Sequence, residues 1–191
     1  MFRLFFHYAP GTARTQCIYN QKIQTNGPYI YVASHESWLD YPLMGSCVID
    51  LYHLTNKKKA FAWYFRPIAN LLGVVDGVGL TALHSLLQKL RAGSNILIFP
   101  EGSRSVNGVI APFKRGAFSL SIESDIEVIP VLISRTRELV SKGSLNWTGQ
   151  KGIVIEVEML DPVKGNLGEN AECFAKRVRE LMHHHRKNHN G

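Results

Sequence analysis

Leu80, Leu83, Leu87 and Leu90 recur at helical spacing, Gly93 closes the run, and the apolar stretch "NILIF" follows at 95–99. A stripe of period 3.6 followed closely by a short unbroken apolar run sets a helix beside a buried strand. The alternation recurs along the chain. "YIYVA" (29–33) is aromatic and β-branched and reads as a strand. "WLDYPLMGSCVI" (38–49) reads as a helix perturbed by Pro42. Pro112 to Glu123 is a helix candidate. "IEVIPVLI" (126–133) reads as a strand in which Pro130 implies an edge, a bulge or a break. "GIVIEVEM" (152–159) alternates as a strand does, and Ala171, Phe174, Val178 and Leu181 return to helical spacing. The basic tail "HHHRKNHNG" reads as a solvated, frayed end rather than a metal site. Helices alternating with strands imply an α/β fold, a layered single domain with a central mixed, mostly parallel sheet flanked by helices. No repeat or linker divides residues 1–191, so the whole chain reads as one domain.

Of the 191 residues 45% are hydrophobic, enough for a real core, and 19% are charged, too few for a disordered chain. Lys and Arg number 22 against 15 Asp and Glu, a net charge of +7. That balance points to anionic partners, whether phosphate-bearing substrates, nucleic acid or an anionic membrane. The aromatic signature of RNA-binding sheets and the zinc-finger spacings are missing, which argues against nucleic acid. Cys17, Cys47 and Cys173 are odd in number and far apart. They suggest neither a disulfide framework nor a metal site, and read as idle or buried thiols in a reducing compartment.

The opening "MFRLFFHYAP" is too short for a signal peptide, and no stretch of ~20 residues is apolar enough to span a bilayer. A membrane association would therefore be peripheral. Residues 57–72, "KKKAFAWYFRPIANLL", are its candidate, with Lys57, Lys58 and Lys59 beside Trp63 and Phe65. A buried helix and an interfacial segment both fit that pattern.

"SHESWLD" (34–40) places His35 and Asp40 five residues apart, just after a strand. Five helical steps of ~100° leave two side chains about 140° apart, and a strand sends them to opposite faces. The pair meets only if the chain turns between them. A histidine titrates where a hydroxyl can be deprotonated near neutral pH, and a carboxylate on its other nitrogen would orient it. Ser37-x-x-Asp40 is also a capping-box pattern, which explains Asp40 without catalysis. The two readings are compatible, because a cap at Ser37 would supply the turn.

"FPEGSRS" (99–105) is a second candidate. Gly102 permits close backbone approach, Arg104 suits a phosphate, and Glu101 could hold Arg104 or meet an acceptor hydroxyl. An exposed turn with a salt-bridged Glu and Arg is the plainer reading. "FKRGAF" (113–118) adds Lys114 and Arg115, and two basic clusters after one strand favour a phosphate site. It is not a Walker loop.

In order and spacing, H-x-x-x-x-D at 35–40, "FPEGSRS", "FKRGAF" and "VIPVLI" (128–133) resemble the glycerolipid acyltransferases of the lysophosphatidic acid acyltransferase type. The likeness runs from about Tyr29 to Ile133. It implies transfer of a fatty acyl group from a coenzyme A or acyl-carrier-protein thioester to the hydroxyl of a lysophospholipid or related lyso-lipid. No bound cofactor and no metal is implied. His35 would be the general base and Asp40 its orienting partner, with Glu101, Gly102, Ser103, Arg104 and Lys114 at the acceptor. Attachment would be to the cytoplasmic face of an anionic membrane. Ser34 stands where the family often has Asn, and Ser103 where it often has Thr. The family's second block carries an arginine, whereas "GVVDGVG" (73–79) carries Asp76. Exchanging a guanidinium for a carboxylate favours an acceptor with less negative charge than a phosphate monoester. A non-catalytic membrane-binding module of the same fold and a thioesterase-like hydrolase are the alternatives.

Overall fold

The computed structural model describes residues 13–18, 20–23, 27–55, 74–76, 80–105, 107–139 and 152–189. Among the described residues seven strands and five helices follow in chain order. They are β1 (Ala13–Ile18), β2 (Ile30–Ala33), α1 (Asp40–Cys47), β3 (Leu51–Thr55), β4 (Val74–Asp76) and α2 (Leu80–Arg91). Then come β5 (Asn95–Ile98), α3 (Gly116–Ser124), β6 (Val128–Ser134), α4 (Thr136–Leu139), β7 (Ile153–Met159) and α5 (Ala171–His189). The strands form one sheet in the order β1-β7-β6-β2-β5-β3-β4. All neighbours run parallel except β6 and β7. This is the mixed, mostly parallel sheet expected from the alternation of patterns.

β2 is buried along its whole length. Its period of two divides it between two cores. Ile30 and Val32 join Leu86, Leu90, Phe118, Phe174 and Val178 on the face covered by α2, α3 and α5. Tyr29, Tyr31 and Ala33 join Met44, Leu97, Val131 and Val157 on the face covered by α1. A central parallel strand needs apolar residues on both sides, hence the unbroken apolar run. β7 alternates, burying Ile153, Ile155, Val157 and Met159 while Glu156 stays exposed.

Pro130 lies in an interior strand, not at an edge. Val131 opposes Met159, yet Val128 opposes Val163, so one extra residue sits on the side facing Pro130. The ladder is therefore bulged where proline offers no N–H, and the Pro130 carbonyl still accepts the N–H of Leu160 at 2.9 Å.

Three expectations are corrected and one, the cap at Ser37, is met. α3 begins at Gly116 rather than Pro112, because Lys114 N–H is drawn to the Pro100 carbonyl (2.9 Å) and keeps that segment extended. α1 is regular from Asp40, and the turn before it carries the expected capping box: Ser37 Oγ accepts the Leu39 N–H at 3.4 Å, and the Ser37 N–H donates to Asp40 Oδ2 at 2.9 Å. The tail is not frayed: α5 continues to His189, and His183, His185 and Arg186 are each engaged. Cys17 and Cys47 are joined in a disulfide, because β1 and the end of α1 bring their Cα atoms to 6.6 Å. Only Cys173 is free among the described residues.

Among the described residues no helix is long and apolar enough to cross a membrane. Lys57, Lys58, Lys59, Trp63 and Phe65 lie outside the described residues, as do the side chains of the second block.

Candidate active site

Three parallel strands lie side by side in the middle of the sheet, β6, β2 and β5. Their carboxyl ends therefore open onto one edge, where α/β folds place their sites. The loop after β2 carries His35, the loop after β5 carries Glu101, and the start of α4, just after β6, carries Thr136.

His35 Nδ1 lies 2.8 Å from Asp40 Oδ2. The same oxygen accepts the backbone N–H groups of Glu36 (2.7 Å) and Ser37 (2.9 Å). Oδ1 accepts the Thr136 hydroxyl at 2.6 Å. Asp40 is fully buried, and these donors satisfy both of its oxygens. The chain does turn between His35 and Asp40, as the spacing required. The turn is held by the Asp40 carboxylate reaching back to the loop amides, one half of the capping box whose other half is Ser37 Oγ on the Leu39 N–H. With its hydrogen on Nδ1 facing the carboxylate, the imidazole presents a lone pair at Nε2. The His35 side chain keeps 19% of its surface exposed.

An aromatic stack fixes the ring from the other side. His35 lies parallel to Phe99 with centroids 4.1 Å apart, Phe99 meets His53 edge-on at 5.1 Å, and His53 meets Tyr41 at 4.7 Å. Desolvation lowers the His53 imidazole to about 4, while its hydrogen bond to the Leu97 carbonyl opposes that shift. His53 is thus neutral and donates from Nδ1.

Glu101 is buried, and burial pushes its carboxyl up. Oε1 accepts the N–H of His35 (3.2 Å) and Oε2 that of Ala111 (2.9 Å). The Glu101 oxygens thus brace two backbone segments. Gly102 has φ +71°, and a Cβ added there would come within 2.5 Å of Lys114 Nζ. Lys114 therefore lies against the "PEGSRS" loop, so the two basic clusters do share one place. Ser103 is exposed and Arg104 half-buried on that loop.

Ser34 completes the β2–β6 ladder with its side chain. Its hydroxyl accepts Ile133 N–H (2.9 Å) and faces the Ile133 carbonyl (3.3 Å). Sequence reasoning missed Thr136 and Arg186. Arg186, near the end of α5, donates to Ser34 Oγ and the Ile133 carbonyl, both at 3.2 Å, and to the Gly108 carbonyl. It also lies 3.8 Å from Glu36, a buried acid whose carboxyl is pushed up by burial against the pull of Arg186. Burial lowers the Arg186 guanidinium, and Glu36 and Glu101 oppose that shift. The only signal for Arg186 was the helical spacing of 171–181, which pointed at the tail without giving its partner. Among the described residues no group of three or more His, Cys, Asp or Glu is placed to hold a metal.

The family model described as "Acyltransferase" matches residues 14–134. A 1-acyl-sn-glycerol-3-phosphate acyltransferase of Salmonella typhimurium is 30% identical over 180 residues, 90% of this chain and 69% of that protein. The human 1-acyl-sn-glycerol-3-phosphate acyltransferase alpha is 28% identical over 169 residues, 81% of this chain. The chain spans 57% of that relative's length. The crystal structure of a 1-acyl-sn-glycerophosphate (LPA) acyltransferase from Thermotoga maritima superposes with a TM-score of 0.78 at 23% identity. That match covers 94% of this chain and 73% of the other, and shows the shared fold.

Proposed function

Because the chain belongs to the acyltransferase family, we propose that it moves a fatty acyl group from a thioester to the hydroxyl of a lysophospholipid, of the 1-acyl-glycerol-3-phosphate type or a related lyso-lipid. The observation that carries this reading is the His35–Asp40 pair at 2.8 Å, held by a fully buried carboxylate at the ends of three parallel strands.

In the proposed step, His35 Nε2 takes the proton of the acceptor hydroxyl as its oxygen attacks the thioester carbonyl carbon. A tetrahedral oxyanion forms. Its collapse breaks the carbon–sulfur bond, and the leaving thiolate takes the proton back from the imidazolium. Asp40 holds the tautomer and stabilises the cation in between. No acyl-enzyme forms. Lys114 and Arg104 supply positive charge for the acceptor phosphate, on a loop that Gly102 lets approach closely. Asp76 in the second block favours a less anionic acceptor. Coenzyme A and acyl carrier protein both supply a suitable thioester. Membrane contact is assigned to Lys57, Lys58, Lys59, Trp63 and Phe65, with peripheral attachment at the cytoplasmic face. Trp38, between the catalytic pair in sequence, is 47% exposed and adds an apolar ring suited to lipid.

The test is purified protein supplied with both donors and a panel of lyso-lipids, products being read by mass spectrometry. Acylated lipid is expected from the wild type and none from His35→Ala. Asp40→Asn should reduce kcat by about 10³-fold or more, the scale seen when such a carboxylate is lost. A folded His35→Ala protein with full activity sinks the mechanism. Free fatty acid without acylated lipid identifies a hydrolase instead.

A further inference from the structure

Arg179, His183 and Arg186 fall at i, i+4 and i+7 of α5 and share one face. All three point at the same stretch of loop. Arg179 donates to the carbonyls of Ile110 (3.0 Å from Nη2) and Ala111 (3.0 Å from Nε). His183 Nε2 lies 3.1 Å from the Ile110 carbonyl, and Arg186 takes the Gly108 carbonyl. The loop so gripped delivers the Ala111 N–H to Glu101, and Glu101 in turn accepts the N–H of His35.

Arg186 reaches further than the other two. Its Nη2 bonds Ser34 Oγ, one residue before His35, and the Ile133 carbonyl, three residues before Thr136. One guanidinium therefore touches the chain after β2, the end of β6 and the loop following β5. Those segments carry His35, the Thr136 that meets Asp40, and the Ala111 amide that holds Glu101. The Arg186 side chain is 17% exposed, so this fork of donors works in partly desolvated surroundings where each bond is strong. A lysine would present one compact head in place of a planar fork.

We propose that Arg186 is a positioning residue for the catalytic pair, tying together from α5 the chain just after β2, the end of β6 and the loop after β5. The inference rests on the acyl-transfer reading. Arg186 need not touch substrate. It acts on where His35 stands relative to the reacting atoms, so its loss falls on kcat more than on KM.

The test compares wild type, Arg186→Ala, Arg186→Lys and the exposed-site control Lys187→Ala. Melting temperature, kcat and KM for acyl transfer, and amide exchange at His35 and Ala111 are measured. Arg186→Ala should lose about a hundredfold in kcat, the effect expected of a 1 Å misplacement, with KM within about twofold. Its His35 and Ala111 amides should exchange faster, Arg186→Lys should recover part of kcat, and Lys187→Ala should match wild type. A folded Arg186→Ala protein with wild-type kcat, or one altered in KM alone, overturns the proposal. Should the alanine variant not fold, Arg186→Lys decides: about tenfold lower kcat at an unchanged melting temperature supports the proposal, and wild-type kcat overturns it. Absence of acyl-lipid product from wild type defeats the acyl-transfer reading instead. The exchange rates still judge Arg186 then: faster exchange supports its positioning role, and unchanged exchange overturns it.

Discussion

Both oxygens of Asp40 are engaged, and the partner on Oδ1 is the Thr136 hydroxyl at 2.6 Å. Removing it in Thr136→Val leaves part of a buried carboxylate unsatisfied. The expected loss is about 1–3 kcal/mol of stability, read by chemical denaturation. An unchanged denaturation midpoint would show that the bond contributes nothing. At this scale the sequence marked His35 and Asp40 through residue chemistry and the likeness of H-x-x-x-x-D to the acyltransferases, since their spacing alone would set them apart. It could not mark Thr136, which is 96 positions from Asp40. A lone threonine in "SRTREL" carries no periodicity or motif, so only the alignment of β2 and β6 reveals its role. Glu101 was found for its place in "PEGSRS", but its hold on the Ala111 N–H was not, since the backbone amide of a loop ten residues on leaves no trace in the pattern.

The loop after β5 works as a unit because Gly102 adopts φ +71° and leaves room for Lys114. Gly102→Ala meets both the left-handed penalty and the lysine head. The chain should lose about 1–2 kcal/mol of stability, and KM for the lipid acceptor should rise as Lys114 is displaced. Calorimetry together with steady-state kinetics reads both changes, and unaltered values for both would remove Lys114 from the acceptor site. Elements with unbroken apolar or cleanly periodic runs were legible, among them β2, α2, β5, β6 and β7. β1, "ARTQCI", was not, because an edge strand buries little and its polar residues obscure the alternation. The end of α5 was misread because basic residues at a chain terminus usually face water. Here Arg179, His183 and Arg186 find carbonyl partners on a neighbouring loop.

Across the whole molecule, the stack from His35 through Phe99 and His53 to Tyr41 joins the site to β3 and α1. His53 titrates at about 4 in the folded chain against an ordinary value of 6.5. The unfolded chain therefore binds a proton first as pH falls. The contribution is fully present above pH 6.5 and is lost progressively toward pH 4, on the order of 3 kcal/mol in all. The melting temperature should fall between pH 7 and 4.5, and fall less in His53→Gln, which does not titrate. Equal slopes for the two proteins would place the acid sensitivity elsewhere. The sheet also explains why residues so distant in sequence converge. Parallel strands put every crossover at the same two edges, so loops separated by whole helices end as neighbours.

The amino-acid sequence by itself determined what is local: which runs are strands and helices, and that the sheet is mostly parallel. Those properties follow from spacing along one chain, where periods of 2 and 3.6 translate directly into faces. Strand order, the bulge at Pro130, the Cys17–Cys47 disulfide and the grip of Arg186 on three chain segments were decided only in the tertiary structure. Each joins residues far apart in sequence. Burial, not spacing, selects such partners, because a buried donor or carboxylate must find a complement wherever the packed chain supplies one.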